Sequence, residues 1–181
     1  MKKFTKYILF ISLGLLCSCS DYLDIVPDNV TTLDIVFNNK NTAQRYLANC
    51  YHFVPDHGSV KRIPGMGAGH ECWFYTDKDS YFDNEVSFYI ARGLQNTNAP
   101  YANYWDGEGG SKLPMFRAIR ECNIFLSYVR DQHKVNDLTD SERKRWIAEV
   151  NVLKAYYHFF LFEHYGPIPI VDEALPVSTS S

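Results

Sequence analysis

The stretch from Trp146 to Glu173, WIAEVNVLKAYYHFFLFEHYGPIPIVDE, constrains the fold of this chain more than any other. Trp146, Val150, Leu153, Tyr157, Phe160 and Leu161 recur at helical spacing and share one face. Past Ala155 the other faces turn apolar as well, through Tyr156, Phe159 and Phe162. A helix that ends apolar all round is expected to be buried on several sides, with Tyr156 and Phe159 in the core beside Tyr157 and Phe160. Thr139 followed by Glu142 offers a capping box that satisfies two free backbone donors at its start. Gly166-Pro167 stops it, because glycine tolerates a left-handed cap and proline has no N–H to continue the ladder. Pro169 then keeps Ile168–Asp172 extended.

A long one-sided helix needs a partner, and residues 113–130 supply it. Met115, Ala118, Ile119, Cys122, Phe125, Leu126 and Val129 form its stripe, with Arg117, Arg120 and Glu121 opposite. The short polar turn Asp131–Asp140 makes the two helices antiparallel neighbours. Upstream, Thr32 is placed to cap a helix over Leu33–Phe37 and Asn41 a second over Thr42–Phe53, ended by Pro55. Tyr46, Leu47, Cys50 and Tyr51 make its apolar stripe. The fold class is mainly α.

The first residues are excluded from that reading. Lys2, Lys3 and Lys6 precede an apolar run, Tyr7–Leu16, which is half the roughly 20 helical residues a hydrocarbon core requires. It reads as a targeting segment over 1–18. Leu16-Cys17-Ser18-Cys19 resembles a bacterial lipobox that makes Cys19 the acylated first residue, and several acyl chains there anchor stably. An ordinary cleaved leader without lipid is the alternative. Residues 19–31 read as a tether, broken by Pro27. The net charge of −3 becomes more acidic without the leader's lysines, and no basic patch suggests nucleic acid as a partner. Of the five cysteines, Cys50, Cys72 and Cys122 lie in the body, an odd number with no CxxC pair. Cys122 fits a small core residue. A Cys50–Cys72 bridge is one option in an oxidising compartment, which the sequence does not decide.

Three stretches carry a family resemblance. LKAYYHFFLFEHYGPIPIVDE (residues 153–173) resembles the signature of SusD/RagB-type nutrient-uptake lipoproteins. Tyr22-Leu23-Asp24 with Pro27, just after Cys19, and Ile119-Arg120-x-Cys122-Asn123-x-Phe125-Leu126 are similar to two further motifs of the same family. The resemblance implies a tetratricopeptide-type helical fold with irregular ligand-binding loops, of which residues 32–181 are the N-terminal part. It implies a lipid-anchored protein on the cell surface at the outer membrane. Such a protein captures an oligo- or polysaccharide and delivers it to a TonB-dependent, SusC-like transporter. Members are several times longer, so the chain is expected to be incomplete, with further helical hairpins to follow.

Between the helical parts, residues 54–111 are rich in Gly, Asn, Asp and aromatics and show no clear periodicity, which suits functional loops. Short strands are expected at Cys72–Tyr75 and Glu85–Ile90. A sugar site needs flat aromatics beside polar side chains, and Trp73, Tyr75, Tyr81, Arg92, Asn96, Asn98, Tyr101 and Trp105 supply those types. Trp105, just before the helix, fits a packing residue as well as a ligand contact. Asp77, Asp79, Asp83 and Glu85 cluster in sequence, but no second carboxylate is placed opposite them as glycoside hydrolysis requires. Asp77-x-Asp79 begins like a calcium loop, yet Tyr81 and Phe82 stand where an acceptor and the turn glycine belong. His52 and His57 flank Pro55, and His158 and His164 diverge around their helix, so no metal set forms. The expectation is therefore a glycan-binding protein with no catalytic residue, no metal and no cofactor. A protein-binding helical scaffold and, more remotely, a glycan hydrolase are its rivals.

Overall fold

The computed structural model describes residues 32–58, 64–69, 86–98, 100–108 and 112–174. Its helices are α1 (Leu33–Val36), α2 (Lys40–Tyr51), α3 (Pro64–Gly67), α4 (Val86–Ala91), α5 (Met115–Arg130) and α6 (Asp140–Tyr165), with no strand among the described residues. The chain is mainly α, as the periodicity and the family resemblance both imply.

The antiparallel pair α5–α6 is the frame, and α2 packs against both of its helices. The core follows the sequence stripes. From α5 it takes Met115, Ala118, Ile119, Cys122, Phe125, Leu126 and Val129; from α6 it takes Trp146, Val150, Leu153, Tyr157, Phe160 and Leu161. Ala43, Leu47 and Cys50 complete it from α2, while Tyr46 is half-buried and Tyr51 is exposed. Both tyrosines use their hydroxyls instead: Tyr46 donates to Glu121 of α5, and Tyr51 to Glu149 of α6 at 2.6 Å. The Glu149 carboxylate beside it pushes the Tyr51 hydroxyl up to about 12. The Tyr157 hydroxyl donates to the Cys50 carbonyl at 2.5 Å. Thus α2 is tied to α5 through one phenol and to α6 through two.

Three expectations need correction. The α2 cap is Asn39, whose side chain accepts from the Thr42 amide at 3.1 Å, rather than Asn41. The helix consequently starts and ends two residues earlier than the sequence suggests. The strand expected at Glu85–Ile90 is helical over its described part, Val86–Ile90, within α4; its apolar residues sit in one short turn with Val86 and Phe88 buried. Finally, α6 is not buried on several sides. Val152, Phe159 and Phe162 are 68%, 55% and 54% exposed, and Tyr156 is only half-buried. A single face of α6 is covered because its neighbours α2 and α5 lie on that one side.

The capping box forms as expected. Thr139 Oγ1 accepts from the Glu142 amide at 3.4 Å, and the Glu142 carboxylate accepts from the Thr139 amide at 3.1 Å. Glu142 also pairs with Lys40 at the start of α2, so one carboxylate fastens two helix starts. The Lys40 ammonium, with help from Thr139, holds its carboxyl near 2. At the other end Gly166 takes a φ of 75° and its amide bonds Phe162 O at 2.9 Å. The following Ile168–Asp172 segment runs back over the hairpin: Asn123 Nδ2 donates to Val171 O at 3.0 Å, and the Val171 amide donates to His158 Nε2 at 3.3 Å.

The turn between α5 and α6 is organised by Arg143, a residue the periodicity gave no role. It is 7% exposed. Its guanidinium donates to Val129 O at 2.6 Å, Asp131 O at 3.1 Å, Lys134 O at 3.0 Å and Val135 O at 3.1 Å. Val135 has a φ of 52°, unusual for a β-branched residue, and is held there by a bond from its amide to Phe37 O at 3.0 Å. Phe37 in turn stacks on Tyr128 at 4.5 Å and meets Phe125 edge-on at 5.9 Å.

Candidate functional site

Of the sequence candidates, Cys19, Trp73, Tyr75 and Tyr81 lie outside the described residues, as do the expected strand Cys72–Tyr75 and the acidic run Asp77, Asp79, Asp83 and Glu85. Arg92, Asn96, Asn98, Tyr101 and Trp105 can be placed. They lie on the segment that leads from α4 to α5, and it presents two aromatic groups.

The first is built on Trp105. Its neighbour Tyr104 anchors the loop: it is fully buried, edge-on to Phe160 at 4.9 Å and to His164 at 4.7 Å. The Tyr104 amide donates to the Tyr165 hydroxyl at 2.8 Å, and that hydroxyl donates to Ala102 O at 3.2 Å. Burial pushes the Tyr165 hydroxyl up, and the Tyr104 amide opposes the shift by donating to it. Tyr165 therefore remains a neutral phenol that both gives and receives. With Tyr104 pointing inward, Trp105 points outward at 44% exposure. Its ring leans on Phe116 at 4.5 Å and meets the Tyr165 ring at right angles at 5.8 Å.

Polar groups in the same turn hold it in shape. Asn103 Oδ1 accepts from the Trp105 amide at 3.1 Å, and Asn103 Nδ2 donates to Asp106 Oδ1 at 2.7 Å. Asp106 Oδ1 also accepts from the Glu108 amide at 3.0 Å. Gly107 closes the turn at a φ of 89°, where a Cβ would meet Pro114 Cδ at 2.8 Å. Only glycine allows the loop to pass so near the start of α5. The product is a half-exposed indole, braced on one side, in a turn that also carries the exposed residues Asp106 and Glu108.

The second group is Tyr101, half-buried and stacked on Tyr89 at 4.3 Å with 14° between the planes. Its amide donates to Gln95 Oε1 at 2.7 Å. Asn96 and Asn98 lie in the exposed turn beside Gln95, where Asn96 Oδ1 accepts from the Asn98 amide at 3.1 Å and Asn96 Nδ2 donates to Leu94 O at 3.4 Å. The Asn96 amide group thus shapes the turn. Arg92 is exposed at the end of α4.

Phe116, Tyr165, Tyr89 and Gln95 were not among the sequence candidates. Phe116 and Tyr165 had a signal all the same: each is an aromatic residue on a core helix but off its buried stripe. Among the described residues there are also two shallow clefts away from this segment. One, of about 570 Å³, lies between α1 and the α5–α6 turn and is crossed by the Lys134–Asp34 pair at 2.7 Å. The other, of about 420 Å³, lies beside Lys154 and His158, where Lys154 Nζ donates to Asp172 O at 3.0 Å.

In chemical terms the Trp105 group offers a flat apolar surface on a turn that also carries two acidic residues. That suits a ligand with C–H faces and hydroxyl edges. No curated protein and no solved structure matches the chain. A family model for SusD-like proteins, described as starch-binding and associating with the outer membrane, matches residues 21–180.

Proposed function

The chain belongs to the SusD-like family of starch-binding proteins that associate with the outer membrane, and on that premise we propose that it captures a glycan on the exposed face of Trp105. The observation that carries this reading is the brace: Phe116 and Tyr165 hold the indole half in solvent, where an unliganded tryptophan would otherwise bury more of its surface. A sugar ring laid on it removes apolar area from water without first ordering the side chain. The Asp106 and Glu108 carboxylates accept hydroxyl protons at its edge. Tyr101, stacked on Tyr89, extends the same loop as a second ring contact, and Arg92 and Asn98 are polar contacts beside it.

The bound glycan is passed on rather than cut. The protein is anchored through acylated Cys19 at the cell surface and delivers its cargo to a TonB-dependent, SusC-like transporter, without cofactor or metal. Affinity electrophoresis through a panel of polysaccharides, run with a reducing-end assay, tests the binding claim. Retardation without release of reducing ends is expected. Migration unretarded in every gel identifies a protein-binding scaffold instead, and steady release identifies a hydrolase. The anchor is tested separately by the intact mass of protein extracted from its membrane fraction, where acyl chains on a species beginning at Cys19 are expected.

A further inference from the structure

The segment after α6, Ile168–Asp172, lies across the α5–α6 hairpin, with Ile168 and Val171 packed against its core while Pro169 and Ile170 are exposed. Among the described residues, three side chains bond it to the hairpin. Asn123 of α5 donates from Nδ2 to Val171 O at 3.0 Å. Lys154 of α6 donates from Nζ to Asp172 O at 3.0 Å and pairs with the Asp172 carboxylate at 3.4 Å. His158 completes the set, and its two ring nitrogens have opposite tasks. Nδ1 lies 2.8 Å from Lys154 O, which can only accept, so Nδ1 carries a proton. The Val171 amide donates to Nε2 at 3.3 Å, so Nε2 keeps its lone pair. The two bonds together fit one form of the ring, the neutral Nδ1–H tautomer.

We propose that Ile168–Asp172 is a strap that His158 latches and that protonation of His158 releases. A proton added at Nε2 leaves two N–H groups, of the ring and of Val171, pointing at each other, and the acceptor that held the strap is gone. The charged groups facing the ring are Lys154 on its own helix and Asp172 on the strap; they pair with each other, so neither decides the outcome by itself. From α5 come the neutral amide of Asn123 and, at the other wall of the cleft, Arg130, which donates to Asn151 at 3.4 Å. Tyr51 of α2 and His57 reach α6 at Glu149 and Tyr156, which lie about half a turn round the helix from His158. The seat beneath the strap favours opening. Asn123 Oδ1 is buried with no hydrogen-bond partner among the described residues, and lifting Val171 gives it water. Release also uncovers the apolar wall under Ile168 and Val171.

The test is NMR on the full chain between about pH 7.5 and about pH 5, the range in which imidazoles titrate. It reads the ring nitrogens of His158 and the exchange of the Val171 amide, corrected for the change of intrinsic exchange rate with pH. The expected result is an Nδ1–H ring at the upper pH and a Val171 amide protected about tenfold or more, with that protection lost in step with protonation of the ring. His158→Gln offers an acceptor at similar reach that does not titrate, so its Val171 protection should be the same at both ends of the range. A ring of the other tautomer, a ring still neutral at the lower pH, protection that survives its protonation, or an equal loss in His158→Gln overturns the proposal. The readout is independent of sugar binding, so it stands or falls apart from the function proposed above.

Discussion

Arg143 shows how much one side chain can carry. A buried guanidinium with four carbonyl partners ties the end of α5 to the α5–α6 turn, adding to the turn's own backbone bonds at Asp131 O and Val135 O. Hydrogen bonds from a charged donor contribute about 1.5–3 kcal/mol each, and the bonds in one network are not additive. Arg143→Met is therefore expected to lower unfolding stability by about 3 kcal/mol in urea denaturation. Arg143→Lys should recover little of it, since an ammonium lacks the fork that reaches both pairs of oxygens. A loss within the error of the measurement would mean that the turn is held by Val135 and Phe37 alone. Legibility at this scale was uneven. Trp105 and Tyr101 could be picked out because flat aromatics beside polar residues on an aperiodic loop are the types a sugar surface needs. Of their supports, Phe116 and Tyr165 carried only the hint of being aromatics off a buried stripe and Tyr89 carried none, because which ring meets which, such as Tyr165 under the Tyr104–Trp105 turn, is set by tertiary packing. Arg143 was invisible because its partners are backbone carbonyls of the preceding turn, which side-chain periodicity does not report.

Among the elements, α6 was the most legible and also the most misleading. Its start, its stop and its buried stripe all follow from the residues named in the sequence. Its apolar outer side does not imply burial, because spacing reveals which residues share a face and not how many neighbours the helix has. The two faces should differ in energy accordingly. Phe160→Ala, in the core against Tyr104, is expected to cost about 3–5 kcal/mol, whereas Phe159→Ala should stay within about 0.5 kcal/mol. Equal losses in chemical denaturation would show that the outer face is covered in solution.

The helix start brings a pH dependence whose sign can be worked out. The Glu142 carboxyl titrates near 2 in the folded chain against an ordinary 4.5. A depressed folded value means that the stabilisation is present above about 4.5 and is lost as pH falls towards 2. Protonation of Glu142 ends its charge pairing with Lys40. The melting temperature of the parent should fall more steeply between these limits than that of Glu142→Gln, which keeps the reciprocal cap but carries no charge. Parallel curves would contradict the assignment.

For the whole molecule, the mainly α fold and family membership could be read from three stretches of sequence, because helical stripes and caps are local. The segment from α4 to α5 resisted, and its one testable strand proved to be the helix Val86–Ala91. Short apolar runs do not distinguish the two states, since the choice is made by what they pack against. That same segment carries the proposed ligand surface. An irregular path stabilised by side-chain bonds such as those of Asn103 and Asp106 is what exposes Trp105, and such a path has no periodicity to read.

The most direct measurement is the affinity of the intact protein and of Trp105→Ala for starch oligosaccharides by calorimetry. A sugar covering on the order of 60 Å² of indole at about 25 cal/mol per Å² contributes about 1.5 kcal/mol, or roughly a tenfold change in Kd. Binding by the parent with at least that weakening in a variant that retains its melting temperature is the expected result. Equal affinity of the two proteins would place the glycan elsewhere, and absence of heat from the parent across starch and other glycans would contradict capture by this chain.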